Sequence, residues 1–366
     1  MNYLIATEPD DTHAILAKLA LEEKGHKVRF LYLADHPTRQ INSVFIHNGT
    51  YEWFNSDKLS HYHENHYDVV WWRRVRRPYI PKNLSHPEDY KFITRENYLF
   101  YEGITYNLAP NAWWINNKEA ATRANSKLLQ LKTADSVGLK IPVSLFSNNP
   151  QEIRQFITAH INHGVIYKPL CSNFWFEPDQ IKISYTTKVD LLDLPDDQAL
   201  QLTPGIYQRQ LQKKYELRIT CFGDYIIAAK LDSQAHKEGQ IDWRAISNGD
   251  MRVELYLLPK ELEEKINFFM KKMGLETGSL DFIVTPENEY VFLEVNEQGQ
   301  FLWIEELCPE IPMLNTFVDF MENKKVTTGI TDRTNHSIEQ YRCQMGEMVL
   351  ENLKHHVDLN SHNLPL

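Results

Sequence analysis

Apolar and polar positions follow two periods along this chain, and the switches between them mark its elements. Tyr3 to Ala6 is a short apolar run. Asp10, Asp11 and Thr12 then offer helix caps, and a helical pattern runs to about Lys24, where Gly25 stops it. Lys27 to Leu33 reads as a second strand, giving a βαβ start of the α/β kind. Tyr67 to Trp72 is a further buried strand that ends in Arg73, Arg74, Arg76 and Arg77. The spacing predicts helices from about Asp89 to Tyr101, Lys118 to Val137, Pro150 to Ile161, Leu258 to Met273 and Ser337 to about Leu353. The second is one long helix with Leu128, Leu131, Ala134 and Val137 inward, closed by Gly138. Strands are expected at Pro142 to Phe146, Gly164 to Pro169, Tyr207 to Leu211, Leu217 to Phe222 and Tyr225 to Lys230. A Gly223-Asp224 turn joins the last two.

The stretch from Gly278 to Glu306 carries the densest chemistry. Leu280 to Thr285 and Tyr290 to Asn296 are rich in β-branched and aromatic residues, and Pro286 to Glu289 supplies turn residues between them. Pairing outward from that turn sets Thr285 against Tyr290 and Asp281 against Glu294. Side chains alternate across a strand, so Asn296 shares the face of Glu294, while Phe282, Val284, Leu293 and Val295 point into a core. Opposed like charges destabilise a sheet. A hard cation such as Mg²⁺, which takes oxygen ligands, would relieve two carboxylates and an amide oxygen held this way. From spacing alone, an exposed hairpin with two solvated acids fits equally well.

Composition narrows the class. With 366 residues, 42% apolar and 24% charged, the chain is long enough for two or three soluble domains with substantial cores. A formal charge of -10 argues against non-specific nucleic-acid binding. The four cysteines, Cys171, Cys221, Cys308 and Cys343, form no C-x-x-C pair and read as buried thiols of a reducing cytoplasm rather than a disulfide framework. The acidic start MNYLIATEPDD is no signal peptide, and no run approaches the length of a membrane span. A cytoplasmic protein is expected. No G-x-G-x-x-G follows the first strand, which argues against a dinucleotide site there. The cluster His61, Tyr62, His63, Glu64, Asn65, His66 lacks zinc-motif spacing and reads as a polar loop. The four arginines could hold an acidic partner or form a solvated strand end.

The ordered set Lys127, Lys168 in YKP, Gln208 to Leu211, Glu216-Leu217-Arg218, Asp281, Glu294 and Asn296 resembles the ATP-grasp superfamily. The stretches VVWWRRVRRP, INNKEAATRANSKLLQLKTADSVGLKIP, DSQAHKEGQIDWR and FLEVNEQGQFLWIE resemble, more narrowly, the graspetide (microviridin-type) peptide ligases. The likeness covers roughly residues 1 to 320. It implies an α/β protein, α+β in its ATP-grasp part, with a Rossmann-like pre-ATP-grasp domain over 1–115. A central ATP-grasp subdomain over 116–205 and a C-terminal one over 206–325 with the metal site would follow, then a polar tail with a helix over 326–366.

What the resemblance implies for the site is specific. Lys127 and Lys168 would approach the ATP phosphates; Gln208, Arg209 and Leu211 would form the adenine hinge; Glu216 would face the ribose. Arg218 and Arg244 would stand near the γ-phosphate, and Asp281, Glu294 and Asn296 would hold two Mg²⁺ ions. Lys230 occupies a position where arginine is expected, and is a further nucleotide candidate. The segment Pro169 to Trp175 lacks the glycines of many phosphate lids, so no lid residue is assigned. The implied reaction joins an Asp or Glu side chain of a precursor peptide, through an acyl phosphate, to a Ser or Thr hydroxyl or a Lys amine. The peptide would carry a leader and an acidic core, the latter met by Arg73, Arg74, Arg76 and Arg77. A homodimer without nucleic-acid or membrane partners is expected. The alternatives are a ligase joining a free amino acid or amine to a small acid or protein terminus, and a non-catalytic nucleotide-binding module.

Overall fold

The computed structural model describes residues 1–57, 61–62, 65–171, 174–177, 180–183, 186–236, 239, 241, 243, 246, 251–327, 329 and 336–359. The chain divides into two compact units, one formed by Met1–Lys118 with Pro312–Leu366 and the other by Glu119–Ile311. No helix among the described residues is long and apolar enough to cross a membrane.

The first unit is built on a parallel sheet of β1 (Asn2–Ala6), β2 (Lys27–Leu31), β6 (Val69–Trp72) and β7 (Trp113–Ile115), in the order β2-β1-β6-β7. Continuous apolar runs suit strands covered on both faces, and Leu4, Ile5, Val69, Val70 and Trp71 are all buried. Helix α1 (Thr12–Glu23) starts where expected, the Asp11 carboxylate accepting from the His13 N–H at 3.2 Å, and ends before Gly25 at φ +82°. Helix α2 (Tyr90–Tyr106) outlasts its expected end by a turn and more. A hairpin of β3 (Ile41–His47) and β4 (Thr50–Ser56), with β5 (His61–Tyr62) alongside, turns at Asn48-Gly49, both at positive φ. His63 and Glu64, within the histidine cluster, lie outside the described residues.

The C-terminal segment is part of this unit. Helix Met313–Asn323 is almost wholly buried, with Phe317 packed 4.6 Å from Trp71 between ring centroids. Helix Ile338–His355 is capped by Ser337 as expected. Beyond it, the buried Asp35 carboxylate accepts from the Val357 N–H at 2.7 Å and meets His356 Nδ1 at 2.6 Å.

The arginine run is largely engaged within the unit. Arg73 Nε donates to Asp11 Oδ2 at 2.6 Å, both side chains being at most 2% exposed, and Thr7 donates to the same oxygen. Arg74 and Arg76 share the buried Glu8 carboxylate, and Arg77 lies 4.9 Å over the Tyr98 ring. Burial raises the Asp11 pKa, but the Arg73 charge, His13 and the hydrogen bonds prevail and bring it from 3.8 to about 2. A depressed carboxylate stabilises the fold above its unfolded pKa, and that contribution disappears as pH falls from 3.8 towards about 2. Arg73→Ala strands a buried charge and should destabilise the protein by about 3–5 kcal/mol. Urea melts from pH 5 down to pH 2 check both points: the variant should be weaker at pH 5 and lose less on acidification.

Among its described residues the second unit holds two larger antiparallel sheets and a separate two-stranded one. Helix α3 (Lys118–Ala124) begins at the end of the first unit, and α4 (Lys127–Ser136) follows after a break. One long helix was expected here. Ser126 instead caps α4 by accepting from the Leu129 N–H, so the helix starts afresh and Leu128 faces solvent, 53% exposed. Leu131 and Ala134 are inward as expected. The smaller sheet contains β8 (Ser144–Ser147), β9 (Val165–Lys168), β12 (Thr187–Val189) and β13 (Gly205–Arg209) in the order β12-β9-β13-β8. It packs on α5 (Pro150–Ala159) and α6 (Asp197–Leu202) through Ile153, Ile157, Val165, Leu200 and Tyr207. The hairpin β10 (Phe174–Glu177) and β11 (Gln180–Ile183) is separate.

The larger sheet has five strands: β14 (Tyr215–Phe222), β15 (Tyr225–Leu231), β16 (Val253–Tyr256), β17 (Thr277–Val284) and β18 (Tyr290–Asn296), in the order β16-β15-β14-β17-β18. One face carries Leu217, Ile219, Leu280, Phe282 and Val295 onto α4 and onto α7 (Lys260–Met273), which Gly274 ends in the left-handed conformation. The opposite face is polar and forms the site.

Candidate active site

The β17–β18 hairpin sets Asp281 opposite Glu294 and Ser279 opposite Asn296. The route differs from the sequence expectation. The turn draws Thr285 out of the ladder, with the Thr285 N–H bonded to the Glu289 carbonyl at 3.0 Å, so Val284 pairs with Tyr290. A bulge between Asp281 and Phe282 then restores the register. Phe292 consequently enters the core opposite Phe282, and Leu293, expected there, lines the polar cleft instead.

Strand β14 adds Glu216 and Arg218 to the same face, Arg218 being paired directly with Asp281. Arg218 Nη1 donates to both Asp281 oxygens at 2.8 and 2.9 Å, and Nη2 to the Gln300 carbonyl at 3.0 Å. Lys127, the first residue of α4, donates to Glu294 Oε2. Each acid thus meets a cation, and Asn296 Nδ2 stands 3.5 Å from Asp281 Oδ2. The donor set fits Mg²⁺: carboxylate and amide oxygens, hard ligands without sulfur or imidazole, on adjoining positions of one sheet face. Among the described residues no group of three or more His, Cys, Asp and Glu is placed to hold a metal.

A cleft opens on the same face. Lys168, Gln208, Arg209, Leu211, Glu216, Asp281 and Glu294 all line it, so the structure brings seven expected residues to one cavity. At the hinge, the Arg209 N–H bonds to Val143 at 3.0 Å and the Gln210 N–H to Gly164 at 2.9 Å. The Leu211 N–H has no partner among the described residues, which leaves a backbone donor at the cleft. Gln208 donates to Ser144 Oγ at 2.8 Å, and its Oε1, buried, has no protein partner among them. These groups suit a heterocycle read through amide-like bonds.

Glu216 is 5% exposed; it accepts from Ser233 Oγ at 2.8 Å and from Lys213 Nζ at 3.1 Å. Burial raises its pKa, and Lys213 and Ser233 offset part of the rise. Lys213 also donates to the Ile241 carbonyl at 2.7 Å, tying that segment to the cleft wall. Sequence reasoning missed Lys213, since only the fold shows its partners. Lys230 is a correction. It pairs with Leu217, whose side chain is in the core, so it lies on the face opposite Glu216 and Arg218. There it sits 5.2 Å over the Tyr215 ring and 3.4 Å from Glu254. Arg244, expected near the γ-phosphate, lies outside the described residues.

A second cleft, about 710 Å³, is lined by Arg218, Asp281, Asn296, Gln298, Trp243 and Trp303 among others. Trp243 stacks on Trp303 with centroids 5.0 Å apart. Asp281 and Trp243 border both clefts.

Two antiparallel sheets with a cleft over an acidic face, beside a second cleft, are the architecture of an ATP-grasp ligase. No protein-family model matches the chain, and no curated protein matches it. Solved structures do. An ATP-grasp ligase from Chryseobacterium gregarium, associated with ribosomally made, modified peptides and bound to ADP and a leader and core peptide, is 25% identical with a TM-score of 0.79. The match covers 91% of this chain and 99% of that one. The macrocyclase MdnC of Microcystis aeruginosa, bound with the precursor peptide MdnA, is 28% identical with a TM-score of 0.76, over 88% of this chain and 100% of its own. The macrocyclase MdnB of the same organism is 26% identical with a TM-score of 0.73, covering 87% and 98%. Within the ATP-grasp superfamily, the chain is similar over nearly its whole length to graspetide-type peptide ligases.

Proposed function

We propose that this chain is an ATP-dependent macrocyclase that joins side chains within a ribosomal precursor peptide. The observation that carries the reading is the meeting of two clefts at Asp281 and Trp243, one lined by Lys168, Gln208, Leu211 and Glu216 and the other by Arg218, Asn296 and Trp303. A carboxylate entering from the second cleft meets the terminal phosphate of a nucleotide seated in the first. The structural relatives bound to precursor, leader or core peptides support a peptide in that role.

In this proposal Leu211 and Gln208 read adenine, Arg209 shapes the hinge, and Glu216 faces the ribose. Lys168 and Lys127 meet phosphates as compact charges, Lys127 moving from Glu294 to do so. Asp281, Glu294 and Asn296 would hold two Mg²⁺ ions, which would supply charge neutralisation for the phosphate oxygens. A peptide Asp or Glu oxygen attacks the γ-phosphorus and ADP leaves. A Ser or Thr hydroxyl or a Lys amine then attacks the acyl carbon, the acyl C–O bond to phosphate breaks so that phosphate leaves with the bridging oxygen, and the nucleophile's proton passes to solvent or a base. Arg218 and Arg244 stabilise the transferring group.

The acidic core is assigned to Arg74, Arg76 and Arg77. Arg74 and Arg76 share one carboxylate, so net positive charge remains there, whereas Arg73 is committed to Asp11. A homodimer working in the cytoplasm is part of this reading; of the four cysteines, Cys221 is buried as expected, while Cys171 and Cys343 are exposed. Incubation with ATP, Mg²⁺ and a precursor peptide encoded beside the gene should give a product lighter by one water per ring, read by mass spectrometry. A gain of a whole amino acid or amine would overturn the cyclisation.

A further inference from the structure

Strand β18 is the outer strand of its sheet, so the backbone between its two metal-ligand candidates faces away from the ladder. Val295 lies between Glu294 and Asn296, and its backbone groups are met by a side chain. Gln130 Oε1 accepts from the Val295 N–H at 2.9 Å, and Gln130 Nε2 donates to the Val295 carbonyl at 2.9 Å. The second Nε2 hydrogen is donated to the Ala124 carbonyl at 2.6 Å, at the end of α3. Gln130 is 4% exposed, and these three bonds use both of its hydrogens and its oxygen. The Val295 N–H needs an acceptor, which fixes the amide orientation. The amide thus pairs with the strand as a neighbouring peptide group would.

Gln130 stands three residues after Lys127 on α4, one turn from the lysine that meets Glu294. A single helix turn therefore fixes the strand backbone between two ligand candidates and delivers the cation that faces one of them. We infer that Gln130 is a positioning residue for the metal face, holding Glu294 and Asn296 at the spacing that a bound cation requires. It touches neither metal nor substrate; it acts through Val295. Groups that orient metal ligands typically change metal affinity about 10–100-fold when lost. Methionine keeps the bulk of the side chain and removes all three bonds. Glutamate keeps an acceptor for the Val295 N–H and loses both donors.

The inference rests on the metal assignment of Asp281, Glu294 and Asn296, and the test separates the two. Mn²⁺ binding to the full-length protein with ADP is followed through the electron paramagnetic resonance of the free ion. ADP affinity in EDTA is measured alongside. Gln130→Met and Gln130→Glu should each weaken Mn²⁺ binding at least about tenfold while metal-free ADP affinity stays unchanged. Leu131→Ala, the neighbouring core residue on the same helix, loses stability and should keep wild-type Mn²⁺ affinity. If the wild type with ADP binds no Mn²⁺, the metal assignment falls and the inference with it. If the wild type binds and a folded Gln130 variant binds equally well, the inference alone is overturned; Gln130→Glu supplies this comparison should Gln130→Met fail to fold. Equal weakening in Leu131→Ala would make the Gln130 effect general loosening and would also overturn it.

Discussion

Glu294→Gln and Asp281→Asn should each lower peptide-dependent ATP turnover by about a hundredfold or more, since a metal's charge stabilisation is worth several kcal/mol and each 1.36 kcal/mol is tenfold. Both substitutions keep shape and remove one negative charge from the face that would hold the cations. They differ in what they leave behind. The Lys127 side chain facing Glu294 is 31% exposed, so water can solvate the freed ammonium and little stability should be lost. The Arg218 side chain facing Asp281 is 5% exposed. Its guanidinium would keep only a neutral acceptor, at a cost of about 1–3 kcal/mol of stability. Glu294→Gln is therefore the cleaner probe, with ADP release measured at saturating Mg²⁺ and folding checked by circular dichroism. Near-normal turnover in a folded Glu294→Gln protein would remove that residue from the metal face.

The opposition of Asp281 and Glu294 was legible because turn residues and strand alternation are both local. The path to it was not. One residue lost from the ladder at Thr285 would have moved Glu294 out of register, and the bulge beside Phe282 restores it. Strand-period reasoning cannot place a bulge, so Leu293 was expected in the core and Phe292 took its place. The same one-residue parity decides Lys230: it follows from pairing with Leu217, which no local pattern fixes. The break between α3 and α4 depends on Ser126 competing for the Leu129 N–H and on Gln130 reaching Val295, a partner 165 residues away. Helical periodicity carries no trace of that contact. The Asn48-Gly49 hairpin is a different miss, because its strong turn signal lay in the sequence unread. The stretch over 326–366 looked like a polar tail because Asp35, which holds His356 and Val357, is far away in sequence.

Arg218 has the other large expected effect, and its two substitutions should separate structure from chemistry. The guanidinium reaches two partners at once, Asp281 through Nη1 and the Gln300 carbonyl through Nη2. Arg218→Ala removes both and leaves Asp281, 13% exposed, without its countercharge, a loss of about 3–5 kcal/mol of stability. Reduced turnover in that variant would be hard to read. Arg218→Lys keeps a charge for Asp281, but a single ammonium cannot reproduce the fork that also holds Gln300. Its main deficit should appear as charge moves onto the transferring phosphoryl group, where contacts strengthen towards the transition state. Loss of one charge-assisted bond is worth about 1.5–3 kcal/mol, or roughly tenfold to over a hundredfold in kcat. ATP affinity, measured by calorimetry on the same preparation, should change far less. If the whole deficit in Arg218→Lys appears as weaker nucleotide binding, Arg218 serves the ground state and the phosphoryl-transfer role belongs elsewhere on this face.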